Sequence, residues 1–224
     1  MEAMVHSTCR ALKRARAENE LGNLSLELHR HMGSCMMDQH AVMHLLQELG
    51  RKREPSAAVA VLRCLRQESL QLDVFFASAT MNACRQASAW QQALLVMAEM
   101  DDSCVEKDTI TFNAAVTACD KGGEWWQALK LLSDMAEASV VRDSISFNAA
   151  ISACAKGGAL WRALRLLQEM TDVSVEGNTI TFNAALSACE PEGDWLWAFR
   201  LLRVMADSSV ERDTITYNSS ISAC

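Results

Sequence analysis

Apolar residues along most of this chain recur three or four positions apart, which is the spacing of an amphipathic α-helix. In residues 109–143 this pattern predicts two helices in succession. The apolar face of the first would consist of Phe112, Ala115, Val116 and Cys119. The apolar face of the second, from about Glu124, would consist of Trp125, Ala128, Leu131, Leu132 and Met135. Asp108 would cap the first helix, and Gly122 with Gly123 would end it, so a helical hairpin is predicted.

The hairpin pattern repeats along the chain with a period of 35 residues. Three sets of identical residues follow this period, namely Asn113, Asn148, Asn183 and Asn218; Cys84, Cys119, Cys154, Cys189 and Cys224; and Met100, Met135, Met170 and Met205. A hairpin this small cannot bury its apolar stripe alone. The period therefore predicts hairpins that stack into one continuous helical array.

The period divides the chain without gaps. The predicted segments are a helical leader or N-terminal cap (1–38), a degenerate repeat (39–73), four full repeats (74–108, 109–143, 144–178 and 179–213) and an incomplete repeat with a first helix only (214–224). In the last segment, Ile215 and Ile221 would lack a second helix to cover them. We therefore expect either that this sequence is part of a longer array or that a protein partner covers the final helix.

Composition supports the helical prediction and argues against several classes of function. Half of the 224 residues are apolar and only two are proline, as expected for an all-α protein. No apolar run approaches the ~20 residues of a membrane span, so no membrane association is predicted. The net charge of -7 argues against strong nonspecific binding of nucleic acid. Nine cysteines without a C-x-x-C pair favour neither a disulfide framework nor a zinc cluster.

Candidate chemistry elsewhere in the sequence is weak. His40 and His44 have the spacing of a helical metal pair but lack the Glu of H-E-x-x-H. The cysteines that follow the 35-residue period lie one repeat apart, which is too far for two of them to bind one metal ion. The tryptophans of the predicted second helices are expected to pack between hairpins. With no catalytic constellation and no cofactor motif, the sequence predicts neither an enzyme nor a metal or cofactor site.

The period of 35, two helices per period, and the segment "TITFNAAVTACDKGGEWWQALKLLSDMAEASVVRD" (109–143) resemble the pentatricopeptide repeat family. The resemblance covers residues 74–224 well and 39–73 loosely. It implies a right-handed α-solenoid that binds single-stranded RNA sequence-specifically, one base per repeat, through the first helices. It also implies a mitochondrial or chloroplast location and a role in RNA processing, stability or translation. The leader carries no clear targeting peptide, so a cytoplasmic location stays open.

In that family the fifth and the last residue of each repeat recognise the base. The matching pairs here are Ser78 with Asp108, Asn113 with Asp143, Asn148 with Asn178, and Asn183 with Asp213. The second residue flanks the base, which matches Phe75, Ile110, Ile145, Ile180 and Ile215. A lysine near the turn, here Lys121 and Lys156, meets the phosphate. The implied RNA core is 5′-G-U-(C/U)-U-3′. Gln86 and Pro191 replace this lysine in two repeats, which weakens the expected affinity.

Alternatives exist for both recognition positions and for the function. The recurring Asn, a mediocre helix former, could instead build a hydrogen-bonded ladder along the array. The last residue of each repeat, Asp or Asn, is also the ordinary N-cap of the next helix. The whole array could instead serve as a scaffold for protein–protein interaction.

Overall fold

The computed structural model of this protein describes residues 39–67 and 74–224. The predicted leader, 1–38, lies outside the described residues, as do residues 68–73 of the predicted degenerate repeat and the side chain of His40. Every regular element among the described residues is an α-helix, which confirms the all-α prediction. The helices are α1 (Gln39–Arg51), α2 (Pro55–Gln67), α3 (Val74–Ala87), α4 (Trp90–Asp102), α5 (Thr109–Gly122), α6 (Trp125–Glu137), α7 (Ser144–Lys156), α8 (Leu160–Asp172), α9 (Thr179–Cys189), α10 (Trp195–Asp207) and α11 (Thr214–Ser222).

The described residues form two compact units, one that ends at residue 107 and one that comprises residues 108–224. In the first unit, α3 packs against α1, α2 and α4. In the second unit, α5, α7, α9 and α11 are the first helices of successive hairpins and are called the A helices. The second helices, α6, α8 and α10, are called the B helices. Each A helix packs against the next A helix, while each B helix packs against the A helices on either side of it.

Side chains at the predicted cap positions start the A helices of the second unit. The carboxylate of Asp108 accepts a hydrogen bond from the Thr111 backbone N–H at 2.8 Å, which confirms its predicted role. The same bond recurs at the other three A helices, where the acceptors are Asp143, Asn178 and Asp213. These caps satisfy an N–H group that the first helical turn leaves without a backbone partner.

Both kinds of helix end in a repeated turn. After α5, Gly123 has φ 76°, and the next residue, Glu124, donates its N–H to the Cys119 carbonyl at 3.0 Å. After α6, Ser139 has φ 56° and Val140 donates to the Met135 carbonyl at 2.8 Å. This six-to-one bond around a left-handed residue is the Schellman motif. The cysteines that recur every 35 residues thus provide the backbone carbonyl that accepts this bond at the end of the A helices. The recurring methionines provide it at the end of the B helices.

The core of the second unit lies between the A and B layers. The predicted apolar faces are buried: Phe112 is 2% exposed, and Cys119 and Met135 are fully buried. Burial raises the pKa of the Cys119 and Cys154 thiols to about 12, so both are protonated core residues at neutral pH. None of the described helices is long and apolar enough to cross a membrane.

Two tryptophan contacts join adjacent hairpins. Trp125 lies on Gly157 so closely that a Cβ at Gly157 would be 2.1 Å from Trp125 Cδ1. Trp161 and Trp197 meet edge to face, with ring centroids 5.6 Å apart. These contacts agree with the predicted packing role. Trp126 and Trp195 are 53% and 59% exposed, and for these two residues the packing role stays a prediction.

Candidate nucleic-acid interface

The recurring asparagines lie on the A helices, and three of them, Asn113, Asn148 and Asn183, meet the start of the following A helix. Asn113 Nδ2 donates to both carboxylate oxygens of Asp143 at 3.1 Å. Asn183 Nδ2 donates to those of Asp213 at 3.1 and 3.4 Å. Because a carboxylate can only accept, each amide nitrogen must face its Asp. The fold therefore brings together the fifth and last residues of these two repeats, which are 30 positions apart in sequence.

The third residues of α9 and α11 complete this network, and sequence reasoning missed them. Thr216 Oγ1 donates to Asn183 Oδ1 at 2.6 Å, and Thr181 Oγ1 donates to Asn148 Oδ1 at 2.5 Å. Thr181 and Thr216 are fully buried, yet both hydroxyls are hydrogen-bonded. The available signal was the hydroxyl that recurs three residues after each cap, as in "DTIT" and "NTIT".

One position in the network is incomplete. Asn113 Oδ1 is buried and has no hydrogen-bond partner. The hydroxyl that would reach it belongs to Ser146, which donates instead to the Asp143 backbone carbonyl at 2.7 Å. Serine lacks the β-methyl group that restricts the χ1 angle of threonine, so its hydroxyl can turn toward its own helix start.

The Asn148 and Asn178 pair differs from the other two. Asn178 Oδ1 accepts from the Thr181 backbone N–H as a helix cap, and Asn148 uses its carbonyl oxygen to accept from the Thr181 hydroxyl. Thr181 therefore connects Asn148 with Asn178. In the other two pairs, the Asn donates directly to the carboxylate of its Asp. The second unit thus contains hydrogen bonds from the recurring Asn residues to the next repeat, which the sequence analysis gave as the alternative to base recognition.

Exposed apolar side chains border the network. Ile110, Ile145 and Ile180 stand at the second position of their A helices and are 68%, 58% and 66% exposed. The surface thus alternates exposed isoleucines with partly buried amide groups.

In the first unit the corresponding residues line a groove of about 590 Å³ between α1 and α3. Phe75 is 69% exposed at its edge, and Ser78 is half-buried within it beside Met43. The predicted partner of Ser78, Asp108, belongs to the second unit. The pairing of Ser78 with Asp108 therefore stays a prediction.

Family models match the second unit. A model described as "Pentatricopeptide repeat domain" matches residues 130–192, and one described as "PPR repeat" matches residues 180–210. Residues 130–210 therefore match pentatricopeptide repeats. No significant match was found among curated protein sequences.

Solved structures of pentatricopeptide repeat proteins share this fold. Maize PPR10, in complex with an 18-nt psaJ RNA element, matches with a TM-score of 0.68 and 23% identity, covering 95% of this chain and 31% of PPR10. The PPR domain of Arabidopsis thaliana protein-only RNase P 1, in complex with tRNA, matches with a TM-score of 0.69 and 14% identity, covering 83% of this chain and 97% of that domain. The chain thus spans about a third of the length of PPR10 and has the same helical-repeat fold.

The two lysines matched to the family's phosphate contacts lie at the ends of A helices. Lys121 is exposed near the end of α5. Lys156 Nζ lies 2.9 Å from Asp120 Oδ1 in an ion pair whose lysine is half exposed. A phosphate would have to share this ammonium group with Asp120 or displace it. The Asp120 side chain is only 13% exposed, so displacement would leave a mostly buried carboxylate without its cation.

Hydrogen bonding keeps Asp213 ionised. Donors from the Thr216 backbone and side chain, and from Asn183, lower the pKa of its carboxyl group. The carboxylate is therefore negatively charged at neutral pH and acts only as an acceptor. A group that reaches Asp213 from solvent must bring a proton donor, as a base edge with an N–H does.

Proposed function

We propose that this chain binds single-stranded RNA through its A helices, with one base facing each pair of fifth and last residues. The observation that carries the proposal is the contact of Asn113 with Asp143 and of Asn183 with Asp213, beside exposed Ile110 and Ile180. The RNA-bound structures of PPR10 and of protein-only RNase P 1 lend support, because they place RNA on the same fold.

The chemistry of the pairs favours pyrimidines. An Asp carboxylate accepts a hydrogen bond from the N3–H of uracil, directly or through water, and the neighbouring Asn amide can hydrogen-bond the same edge. At Asn178 the carboxylate is replaced by an amide, which adds a donor and admits cytosine, whose N3 accepts. With the family's pairing for Ser78 and Asp108, the proposed core is 5′-G-U-(C/U)-U-3′.

The charge of the chain sets the expected affinity. Phosphate contacts supply most nonspecific nucleic-acid affinity, but this chain has a net charge of -7 and two candidate phosphate ligands, Lys121 and Lys156. We therefore expect weak binding with a shallow dependence on salt. Discrimination between bases is the better measurement, because it does not rely on the phosphate contacts.

A change of specificity at Asn178 tests the proposal most directly. Asn178→Asp should convert the repeat 144–178 into the uracil pairing of its neighbours. Oligonucleotides with U or C at the third core position should bind the wild type about equally. The variant should bind the U oligonucleotide about tenfold better than the C oligonucleotide, the discrimination typical of one base contact.

The matched control is Gln168→Glu, which adds the same negative charge on exposed α8, away from the A helices. The control should reduce the affinity for both oligonucleotides equally. If Asn178→Asp does the same, the base-recognition proposal is wrong. A second measurement compares a U-rich oligonucleotide that contains the core with poly(A). Asn113→Ala and Asn183→Ala should each reduce that preference, and equal wild-type affinity for both RNAs would contradict the proposal.

The resemblance to the family also supports an organellar setting in which binding affects processing, stability or translation of a transcript. A fluorescent fusion of the full-length protein, viewed with mitochondrial and chloroplast markers, tests this part. A signal that coincides with neither marker would contradict the proposed organellar location. It would not bear on RNA binding, which the oligonucleotide experiments test.

A further inference from the structure

A groove runs between the B helices α8 and α10 of the second unit and extends to the loop before α9, where Glu176, Gly177 and Asn178 line it. Its volume is about 1120 Å³. The two helices pack on α9 from either side, and the ring of Phe182 on α9 contributes to the lining between them. Trp161 and Trp197 meet edge to face along it, and Trp161 is 63% exposed.

The groove is open because a bridge present one repeat earlier is missing. There, Arg142 forms an ion pair with Glu169, and its guanidinium lies 5.5 Å from the centroid of the Phe147 ring. The residues 35 positions later are Gly177, Val204 and Phe182. Both members of the ion pair have become small or apolar, while the aromatic ring is retained. The Phe182 ring therefore lacks the arginine that lies over Phe147, and Val204 is 44% exposed at the wall of the groove.

Cationic side chains lie along the same groove. Arg165 and Arg200, one period apart on α8 and α10, are both exposed and line it. The Arg200 guanidinium lies 4.9 Å from the centroid of the Trp197 ring, which holds it at the groove wall. Glu176 and Glu211 line the groove in the loops that follow the two helices. The groove thus has a cationic stretch along its helices and an acidic end at its loops.

We propose that this groove is a docking site for a short amphipathic segment of a protein partner, with apolar side chains that fill the hollow beside Phe182. The segment carries carboxylates that face Arg165 and Arg200, and no carboxylate at the end that approaches Glu176 and Glu211. Arginine and tryptophan at the centre of an apolar surface are the residues that dominate binding energy at protein interfaces. The acidic chain as a whole would repel an acidic segment elsewhere, so this cationic stretch also determines where the segment binds.

Selection from a display library of random short peptides tests both the site and the chemistry. The full chain is the bait, and the double variant Gly177→Arg/Val204→Glu is used for counter-selection. This variant introduces the two residues of the ion pair in the preceding repeat. A Cβ at Gly177 would lie 3.2 Å from Phe182 Cε2, so the ring must shift by a few tenths of an ångström. Val204→Glu alone is a second variant that changes only a partly exposed side chain, and circular dichroism verifies the folding of each.

The enriched peptides should combine aromatic or aliphatic residues with Asp and Glu grouped toward one end. Their affinity should fall about tenfold or more for the double variant, for Val204→Glu and for Arg165→Glu/Arg200→Glu, which is the loss expected at the centre of an interface. Arg162→Glu, an exposed charge reversal on α8 outside the groove, should leave their affinity unchanged.

Four results would overturn the proposal. The first is a selection that enriches no peptide over the counter-selected background, and the second is one that enriches neutral or basic peptides. The third is a self-association of the wild-type chain, seen by analytical ultracentrifugation, that the double variant abolishes, because the occupant would then be a second copy. The fourth is binding to anionic lipid vesicles that depends on Val204 and Arg165.

Discussion

Gly157→Ala tests how adjacent repeats fit together. Gly157 caps the end of α7 with φ -85°, a backbone conformation that alanine adopts without strain. A Cβ at this position would lie 2.1 Å from Trp125 Cδ1 and 2.8 Å from Trp125 Cγ, whereas carbon atoms pack at about 3.5–4.0 Å. Because Cγ is bonded directly to the Trp125 Cβ, the indole cannot escape by a small rotation, and α6 must shift. Overpacking of this kind costs about 1–3 kcal/mol.

The sign of the effect should reverse when Trp125 is removed. In a Trp125→Ala background the clash is absent, and Gly157→Ala should stabilise the chain by about 0.4–1 kcal/mol through the lower entropy of the unfolded state. Urea unfolding followed by far-ultraviolet circular dichroism measures both changes. Gly158→Ala is the control for backbone strain without a clash, because Gly158 has φ +65° and nothing lies within 4 Å of its added Cβ. Its effect on stability should be the same in both backgrounds. An equal loss of stability from Gly157→Ala in both backgrounds would refute the steric argument.

Three further predictions concern the asparagine network. Asn183→Ala should lower the free energy of unfolding by about 1 kcal/mol even without RNA, because it removes the bonds to Asp213 and Thr216, and an unchanged urea midpoint would contradict this. Ser146→Thr should raise the free energy of unfolding by about 0.5–1.5 kcal/mol by giving buried Asn113 Oδ1 a hydroxyl donor, whereas Thr181→Ser should lower it. Since the pKa of Asp213 is lowered in the folded chain, its contribution to stability is present above its unfolded pKa of about 3.9 and is lost as the pH falls through the folded value. Asp213→Asn should therefore flatten the acid limb of a pH–stability profile, and an unchanged acid limb would show that the carboxylate contributes nothing.

The asparagine network shows how function and stability share the same atoms. A loss of RNA binding in Asn183→Ala would include any loss of repeat packing, since the Asn amide also holds Asp213 and Thr216. The change of specificity at Asn178 avoids this confusion, because Asp is an equally good N-cap and is the residue found at the same position in the neighbouring repeats.

Local features of the fold could be predicted from the sequence because local interactions determine them. The 35-residue period, the apolar faces and the cap at Asp108 depend on residues within a few positions of one another, and the structure confirms the predicted faces and cap of the 109–143 hairpin. The left-handed turn at Gly123 follows from the same kind of interaction. The left-handed Ser139 was not anticipated, because serine carries no strong signal for that conformation.

The candidate site depended on contacts between residues that are far apart in sequence. The family resemblance named Asn113 and Asp143 as a pair, but no periodicity shows that their side chains meet across 30 residues, or that a buried Ser146 leaves the Asn113 oxygen unbonded. The same holds for Trp125 on Gly157 and for the hollow at Gly177. By itself the sequence determined the helices, their ends and their repetition, since short-range hydrogen bonds and helical periodicity are written in neighbouring residues. Only the tertiary structure decided which amides, hydroxyls and rings touch, because the packing of one repeat on the next sets those distances.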